Sequence, residues 1–325
     1  MTNVQGETTL APIVLFVYKR PEQTKKVIEA LRENDLAGYS ELFIFSDGFR
    51  DMQDKESVIS VRAYINKIKD NDWFSSVHIY ESKTNRGLAN SIISGVSKII
   101  SQYGKVIVLE DDLITSPLFL RYMNECLDYF EHDERIWAVC GYTPELQSLK
   151  GYNCDVYLNF RASTWGWATW KDRWMDIDWS VGDYRRFRWN LFERIRFCFG
   201  GNDTVSMLKA QMKGKLDSWG IRWCYAQSRR RKLAVAPKRS LVRNIGFDNT
   251  GTHSKSADEE RFHIEDLDDA RSFWSKEGLR LDYKILYEIY RLHSLTLMAR
   301  IVDKGKEIYG RQQNKKTENR KKGNM

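Results

Sequence analysis

Three consecutive carboxylates, Glu110, Asp111 and Asp112, stand in "KVIVLEDDLITSPLF" (105–119), directly after a run of strand formers. Like charges side by side repel one another, so the triplet adds nothing to a fold unless a positive charge sits against it. A carboxylate held at a loop can bind a hard cation through oxygen. Mg²⁺ or Mn²⁺ takes one or two such ligands, with phosphate oxygens and water completing the shell. A nucleotide-diphosphate leaving group calls for such a cation, because charge builds on the departing oxygen. Strand alternation would turn Glu110 and Asp112 to one side and Asp111 to the other. The helix expected from Pro117 begins too far downstream for its positive end to explain the triplet. A further acid, Asp217 in "KGKLDSWGIRW", suits either of two tasks: helix N-cap, which an Asp-Ser pair serves well, or general base.

Something must carry these groups to one place. From residue 12 to about 143, short apolar runs alternate with stretches of helical periodicity. Strands are expected at 13–18, 41–48, 77–82 and 105–110, and helices at 21–34, 54–70 and 88–104. That alternation predicts a parallel sheet covered on both faces, with ligands bound beyond the carboxyl ends of its strands. Arg20, Asp47 and the carboxylates at 110–112 all fall at such ends. After Ser116-Pro117 a helix to about residue 131 and a strand over 136–142 are expected.

The character of the chain changes near residue 160. "FRASTWGWATWKDRWMDIDW" holds five tryptophans in twenty residues, more than core filling would require. Trp165 and Trp167 are expected to offer their faces to a sugar ring, with Trp170, Trp174 and Trp179 in the core. "YRRFRWNLFERIRFCF" (184–199) alternates arginine with bulky apolar groups and predicts one helix. Such a helix suits a membrane interface or a core position with solvated arginines equally well. The net charge is +8, and the last fifteen residues carry six basic side chains and one acid, expected to be disordered. With 42% hydrophobic and 13% aromatic residues the chain can build a substantial core. Its five scattered cysteines give no zinc or disulfide spacing. No signal peptide and no apolar run of about 18 residues is present, so a cytoplasmic protein is expected.

The segment "VIVLEDDLITSPLFLRYM" resembles the Glu-Asp-Asp segment of the N-acetylglucosaminyltransferase I family, inverting glycosyltransferases of the GT-A fold. The resemblance extends, more weakly, to about His253. It implies an α/β, Rossmann-like GT-A domain over 11–255, with a nucleotide-sugar-binding half (11–143) and an acceptor-side half (144–255). A helical extension (256–310) and a basic tail (311–325) would follow. Tyr18 and Arg20 in "VYKRP" would meet the nucleotide, Asp47 in "FSDG" would accept the uracil imide N–H, and Arg86-Gly87 in "NRGLANS" would face the diphosphate. Glu110 and Asp111 would contact sugar or ribose hydroxyls, and Asp112 would hold Mn²⁺ or Mg²⁺. Trp165 and Trp167 match the stretch that closes the sugar pocket, and His253 matches a histidine of a loop that orders over the donor.

The family's base is the first acid of a pair before a tryptophan. This chain keeps Asp217 and Trp219 but has Ser218 in place of the second acid and Leu216 in place of a preceding tryptophan. The departure bears on acceptor recognition. The expected acceptor is a glycan or lipid-linked glycan at the inner face of a bacterial membrane, with helix 184–199 and the basic tail as contacts to anionic lipid.

Rival readings remain open at this stage. A nucleotidyltransferase would need a glycine-rich basic loop after the first strand, and "VYKRPEQT" has no glycine. A nucleic-acid-binding protein would account for the net positive charge, but the basic groups lie in a tail and separate segments while acids crowd the expected site. A sugar-binding protein without catalysis would fit if Asp217 is not a base.

Overall fold

The computed structural model describes residues 9–246, 262, 264, 266–268 and 278–294. The first half builds as its periodicity requires. β1 (Ile13–Val17) is apolar and buried throughout, and α1 (Pro21–Arg32) starts on a proline whose missing N–H costs nothing in a first turn. β2 (Glu41–Ser46) is followed by α2 (Met52–Ile68), capped by the Asp51 carboxylate, which accepts the N–H groups of Gln53 and Asp54. β3 (Ser76–Glu81) and α3 (Leu88–Tyr103) come next, and then β4 (Lys105–Glu110).

The remaining strands are β5 (Leu113–Thr115), β6 (Ile136–Cys140), β7 (Val156–Asn159), β8 (Trp167–Trp170), β9 (Leu233–Pro237) and β10 (Val242–Asn244). Helices α4 (Phe119–Tyr129), α5 (Lys171–Trp174), α6 (Tyr184–Phe187), α7 (Leu191–Phe197), α8 (Asp203–Gln211) and α9 (Trp219–Arg229) fall between them. Towards the end of the described residues, α10 (Tyr283–Leu292) starts at an Asp282 cap.

Eight strands form one sheet in the order β3-β2-β1-β4-β8-β6-β9-β7, and β5 pairs with β10 in a separate two-stranded ribbon. β3, β2, β1 and β4 run parallel; β8 and β7 run against their neighbours. Alternate residues of β1 explain the two layers. Ile13, Leu15 and Val17 join the core under α1, α2 and α4, while Val14 and Phe16 join the core under α3, α9 and α10. The result is a mostly parallel, Rossmann-like α/β sheet flanked by helices on both faces. The chain builds outward from β1 to β2 and β3, then returns to place β4 on the other side of β1. That reversal opens a crevice at the ends of β1 and β4, where Phe16 and Glu110 are in register.

Two expectations about the second half need correction. The predicted helix over 184–199 is two short helices, α6 and α7, broken at 188–190. Asn190 ends the run because its side chain accepts the N–H of Glu193 and starts a new helix instead. The tryptophans do fill core. Trp167 and Trp174 are fully buried with Trp137 and Trp223, and the Trp167 and Trp223 rings lie 4.4 Å apart. They do so because β8 is an interior strand, between β4 and β6, with every residue buried.

The sheet draws strands from both expected halves of the domain, and α10 buries Ile285 and Ile289 in the same core as α3 and α9. The five cysteines are free thiols, four of them buried. No described helix is long and apolar enough to cross a membrane.

Candidate active site

The crevice at the ends of β1 and β4 holds the carboxylate triplet, and a positive charge does sit against it. The Arg20 guanidinium lies 3.0 Å from Asp111 and 3.1 Å from Asp112. Asp111 also accepts the backbone N–H of Tyr18 at 3.1 Å, which ties the end of β4 to the end of β1. One arginine does not balance three acids. Burial, then Asp112 and Asp111, push the Glu110 carboxyl up to about 8. Burial pushes Asp111 up to about 6, with Arg20 opposing it and Asp112 reinforcing it. The crevice is therefore short of positive charge when all three groups are ionised.

Two cavities adjoin there. The smaller, of about 210 Å³, lies over the strand ends and is lined by Tyr18, Lys19, Arg50, Asp47 and Asp111, with Phe16 and Phe45 as its apolar wall. The larger, of about 600 Å³, is lined by Asp112, Tyr142, Arg161, Thr164, Trp165 and Asp203. Four residues belong to both: Arg20, Leu88, Glu110 and Asp217. Among the described residues no three His, Cys, Asp or Glu side chains converge into a metal cage. The donor set instead fits a cation held through few protein ligands. Asp112 presents a hard oxygen to the larger cavity, in a crevice with excess negative charge, and a diphosphate would complete the shell.

Asp217 stands just before α9, and its two expected tasks are separated by the structure. Ser218 is the cap: its hydroxyl accepts the N–H of Ile221 at 3.3 Å. The Asp217 carboxylate is left with 66% of its side chain exposed, 3.5 Å from the Arg222 guanidinium.

The other expected site residues sort by what they touch. The Tyr18 hydroxyl donates to Asp54 at 2.6 Å and accepts the N–H of Arg50 at 3.0 Å. Burial and Asp54 push that phenol up to about 12, so it stays protonated. Asp47 accepts backbone N–H groups from Gly48, Arg86 and Gly87 at 2.9 to 3.1 Å. It thereby pins the turn that leads into α3, where Gly87 takes φ 76°, a backbone conformation suited to glycine. Its carboxylate is thus engaged by three protein donors. Arg86 supplies only its backbone N–H here, and its side chain is exposed outside both cavity walls.

Trp165 lines the larger cavity with its ring against Tyr142 at 4.5 Å. Trp167 does not: at 0% exposure it cannot stack on a sugar, and its expected role in the pocket is withdrawn. His253 lies outside the described residues. The last described residues before it, Ile245 and Gly246, follow β10 and reach the site. The Ile245 N–H donates to the Asp112 carbonyl at 2.8 Å, and a Cβ on Gly246 would collide with the Asp112 carboxylate.

Sequence reasoning missed Lys19, Arg50, Arg161 and Asp203. Arg50 follows Asp47 at the end of β2, so the rule that strand ends face ligand could have found it. Arg161 and Asp203, paired at 2.7 Å, could not be matched from positions 42 residues apart.

No family model matches the chain, and no curated protein does so. Among solved structures, it is similar to a mannosyltransferase from Pyrobaculum calidifontis solved with GDP-mannose and Mn²⁺. That likeness has 11% identity and a TM-score of 0.39, covering 70% of this chain and 74% of the other. TarS of S. aureus gives 10% identity and a TM-score of 0.37, over 52% of this chain and 30% of its own. The galactosyltransferase LgtC, solved with donor and acceptor sugar analogues, gives 9% identity and a TM-score of 0.33, over 66% of this chain and 69% of its own.

Proposed function

We propose that this chain is a metal-dependent, inverting GT-A glycosyltransferase that moves a sugar from a nucleotide-diphosphate donor, a UDP-sugar, to a hydroxyl of a glycan or lipid-linked glycan. The observation that carries the reading is the position of Asp217, an uncapped, accessible carboxylate on the shared wall of the two cavities. A group that takes a proton from an acceptor hydroxyl has to sit between donor and acceptor, and a wall shared by two adjoining cavities suits that position.

In this reading the smaller cavity receives the nucleotide. Phe16 and Phe45 offer an apolar wall to the base, and Lys19, Arg20 and Arg50 offer positive charge to the diphosphate. Glu110 and Asp111 face ribose and sugar hydroxyls, and Trp165 borders the sugar. Asp112 holds Mn²⁺ or Mg²⁺, which when bound supplies positive charge to the leaving diphosphate. Asp217 accepts the proton of the acceptor hydroxyl as that oxygen attacks the anomeric carbon from the face opposite the leaving group, which inverts the configuration. Arg222, 3.5 Å away, pairs with the Asp217 carboxylate at the wall the two cavities share.

The test is Asp217→Asn with UDP-sugars as donors. Turnover should fall by about 10²–10⁴-fold, the usual share of a general base, while nucleotide binding is kept. Thermal unfolding with UDP, GDP, CDP and dTDP, each with Mn²⁺ or chelator, reads binding separately. At a nucleotide concentration of ~100 times Kd the wild type and Asp217→Asn should both gain about 2.7 kcal/mol. Full turnover in Asp217→Asn would remove Asp217 as base, and no stabilisation by any nucleotide would overturn the donor site itself.

A further inference from the structure

The broken helix at 184–199 presents a surface that the proposed reaction does not use. Trp189 is 77% exposed and Phe192 82%, and Leu191 and Ile195 are exposed beside them. Arg185, Arg186, Arg188 and Arg194 are exposed among these groups, and none has a carboxylate partner among the described residues. The acids of the segment point the other way. Asp183 accepts from the Tyr225 hydroxyl at 2.7 Å and from Arg229 at 3.0 Å, and Glu193 pairs with Arg196 at 3.0 Å and Arg229 at 2.8 Å. Phe187 and Phe197 clamp the underside edge-on to Tyr225, with ring centroids 4.9 and 5.6 Å away. The fold thus sorts the segment into a fixed inner face and an outer face of arginine, aromatic and aliphatic groups with no acid.

A protein partner would be expected to meet apolar groups at a patch centre depleted of charge. Here arginines flank the apolar groups, with Arg188 before Trp189 and Arg194 between Phe192 and Ile195, and the Arg188 guanidinium lies 4.8 Å from the Trp189 ring centroid. A lipid headgroup layer accommodates that mixture, with guanidinium groups at phosphate and aromatic rings at the acyl boundary. We propose that α6 and α7 form a docking surface for an anionic bilayer, with Trp189 and Phe192 inserted and the four arginines on lipid phosphate. Because α7 packs on α9, the bound bilayer would lie on the outer side of a layer that includes α9, the helix that follows Asp217 and its neighbouring cap Ser218.

The test is sedimentation of the full chain with phosphatidylcholine vesicles, with and without an equal share of phosphatidylglycerol. Wild type should bind the anionic vesicles, release on raising salt, and bind the neutral ones far less. The four arginines changed to Gln should weaken binding a hundredfold or more, at about fivefold for each basic group near such a surface. Trp189→Ala with Phe192→Ala should weaken it by at least about tenfold at constant charge, which separates insertion from attraction by the basic tail. All these side chains are exposed, so both variants should unfold at the wild-type temperature. Overturning results are equal binding to neutral vesicles, no binding to anionic ones, or unchanged binding in both variants. Capture of a single-stranded oligonucleotide through the same arginines, without vesicle binding, would make the surface a nucleic-acid site instead.

Discussion

Replacing Arg20 by Met should expose how far the carboxylate triplet depends on one cation. Arg20 keeps 18% of its side chain exposed, Asp111 6% and Asp112 15%, so the pairing is largely withdrawn from water. Removing one partner of such a pair costs about 3–5 kcal/mol, and the residual exposure of Arg20 favours about 3. The pH dependence gives a second handle. The folded-state pKa of Glu110 is raised from 4.5 to about 8 and that of Asp111 from 3.8 to about 6. Between those values the folded protein holds protons that the unfolded chain has released. Their contribution is therefore fully present below about pH 4 and is lost as pH rises towards 8. Without Arg20 the carboxyls repel more, so the penalty of the variant should be large at pH 8 and shrink towards pH 5. Urea unfolding of wild type, Arg20→Met and Arg20→Lys at both pH values, with and without Mn²⁺, measures it. Arg20→Lys should recover part of the loss, and Mn²⁺ should stabilise Arg20→Met more than wild type. A penalty below about 1 kcal/mol, or one that does not change with pH, would refute the charge-balance argument.

Three further substitutions test neighbouring claims. Trp167→Ala should cost about 3–5 kcal/mol in urea unfolding, because the ring is fully buried against three other tryptophans; a near-neutral result would return it to the sugar pocket. Asp47→Ala removes the acceptor of three backbone N–H groups, so amide exchange at Arg86 and Gly87 should speed up and stability should fall by about 1–3 kcal/mol. Weaker UDP binding with unchanged exchange would instead make Asp47 a direct ligand. Gly246→Ala should cost about 1–3 kcal/mol from overpacking and reduce the Mn²⁺-dependent part of UDP stabilisation, since its Cβ must displace the Asp112 carboxylate or Arg20. Unchanged Mn²⁺ dependence in that variant would remove Asp112 as the metal-holding group.

The sequence was legible where a local rule decides the outcome and illegible where distant residues decide it. The first four strands and three helices follow apolar periodicity, so the crevice at the ends of β1 and β4 could be located before any coordinates. The tryptophans show the limit of that reasoning. Nothing local distinguishes Trp165, at the cavity wall, from Trp167, two residues on along the same chain direction. What buries Trp167 is the placement of β8 between β4 and β6, and no spacing rule states that β8 enters the sheet ahead of β6. Arg20 shows the complementary limit. The question of which charge meets the triplet was answerable only once β1 and β4 lay side by side, because the pairing joins positions 20 and 112. Asp217 shows how one local rule can mislead through a near neighbour: an Asp-Ser pair before a helix signals a cap, but which of the two caps depends on where the chain turns. The hydroxyl of Ser218 took that task, and the carboxylate one residue earlier was released to the wall between two cavities. A serine at position 218 therefore has a physical consequence. It supplies the cap, and so leaves the Asp217 carboxylate free of that task.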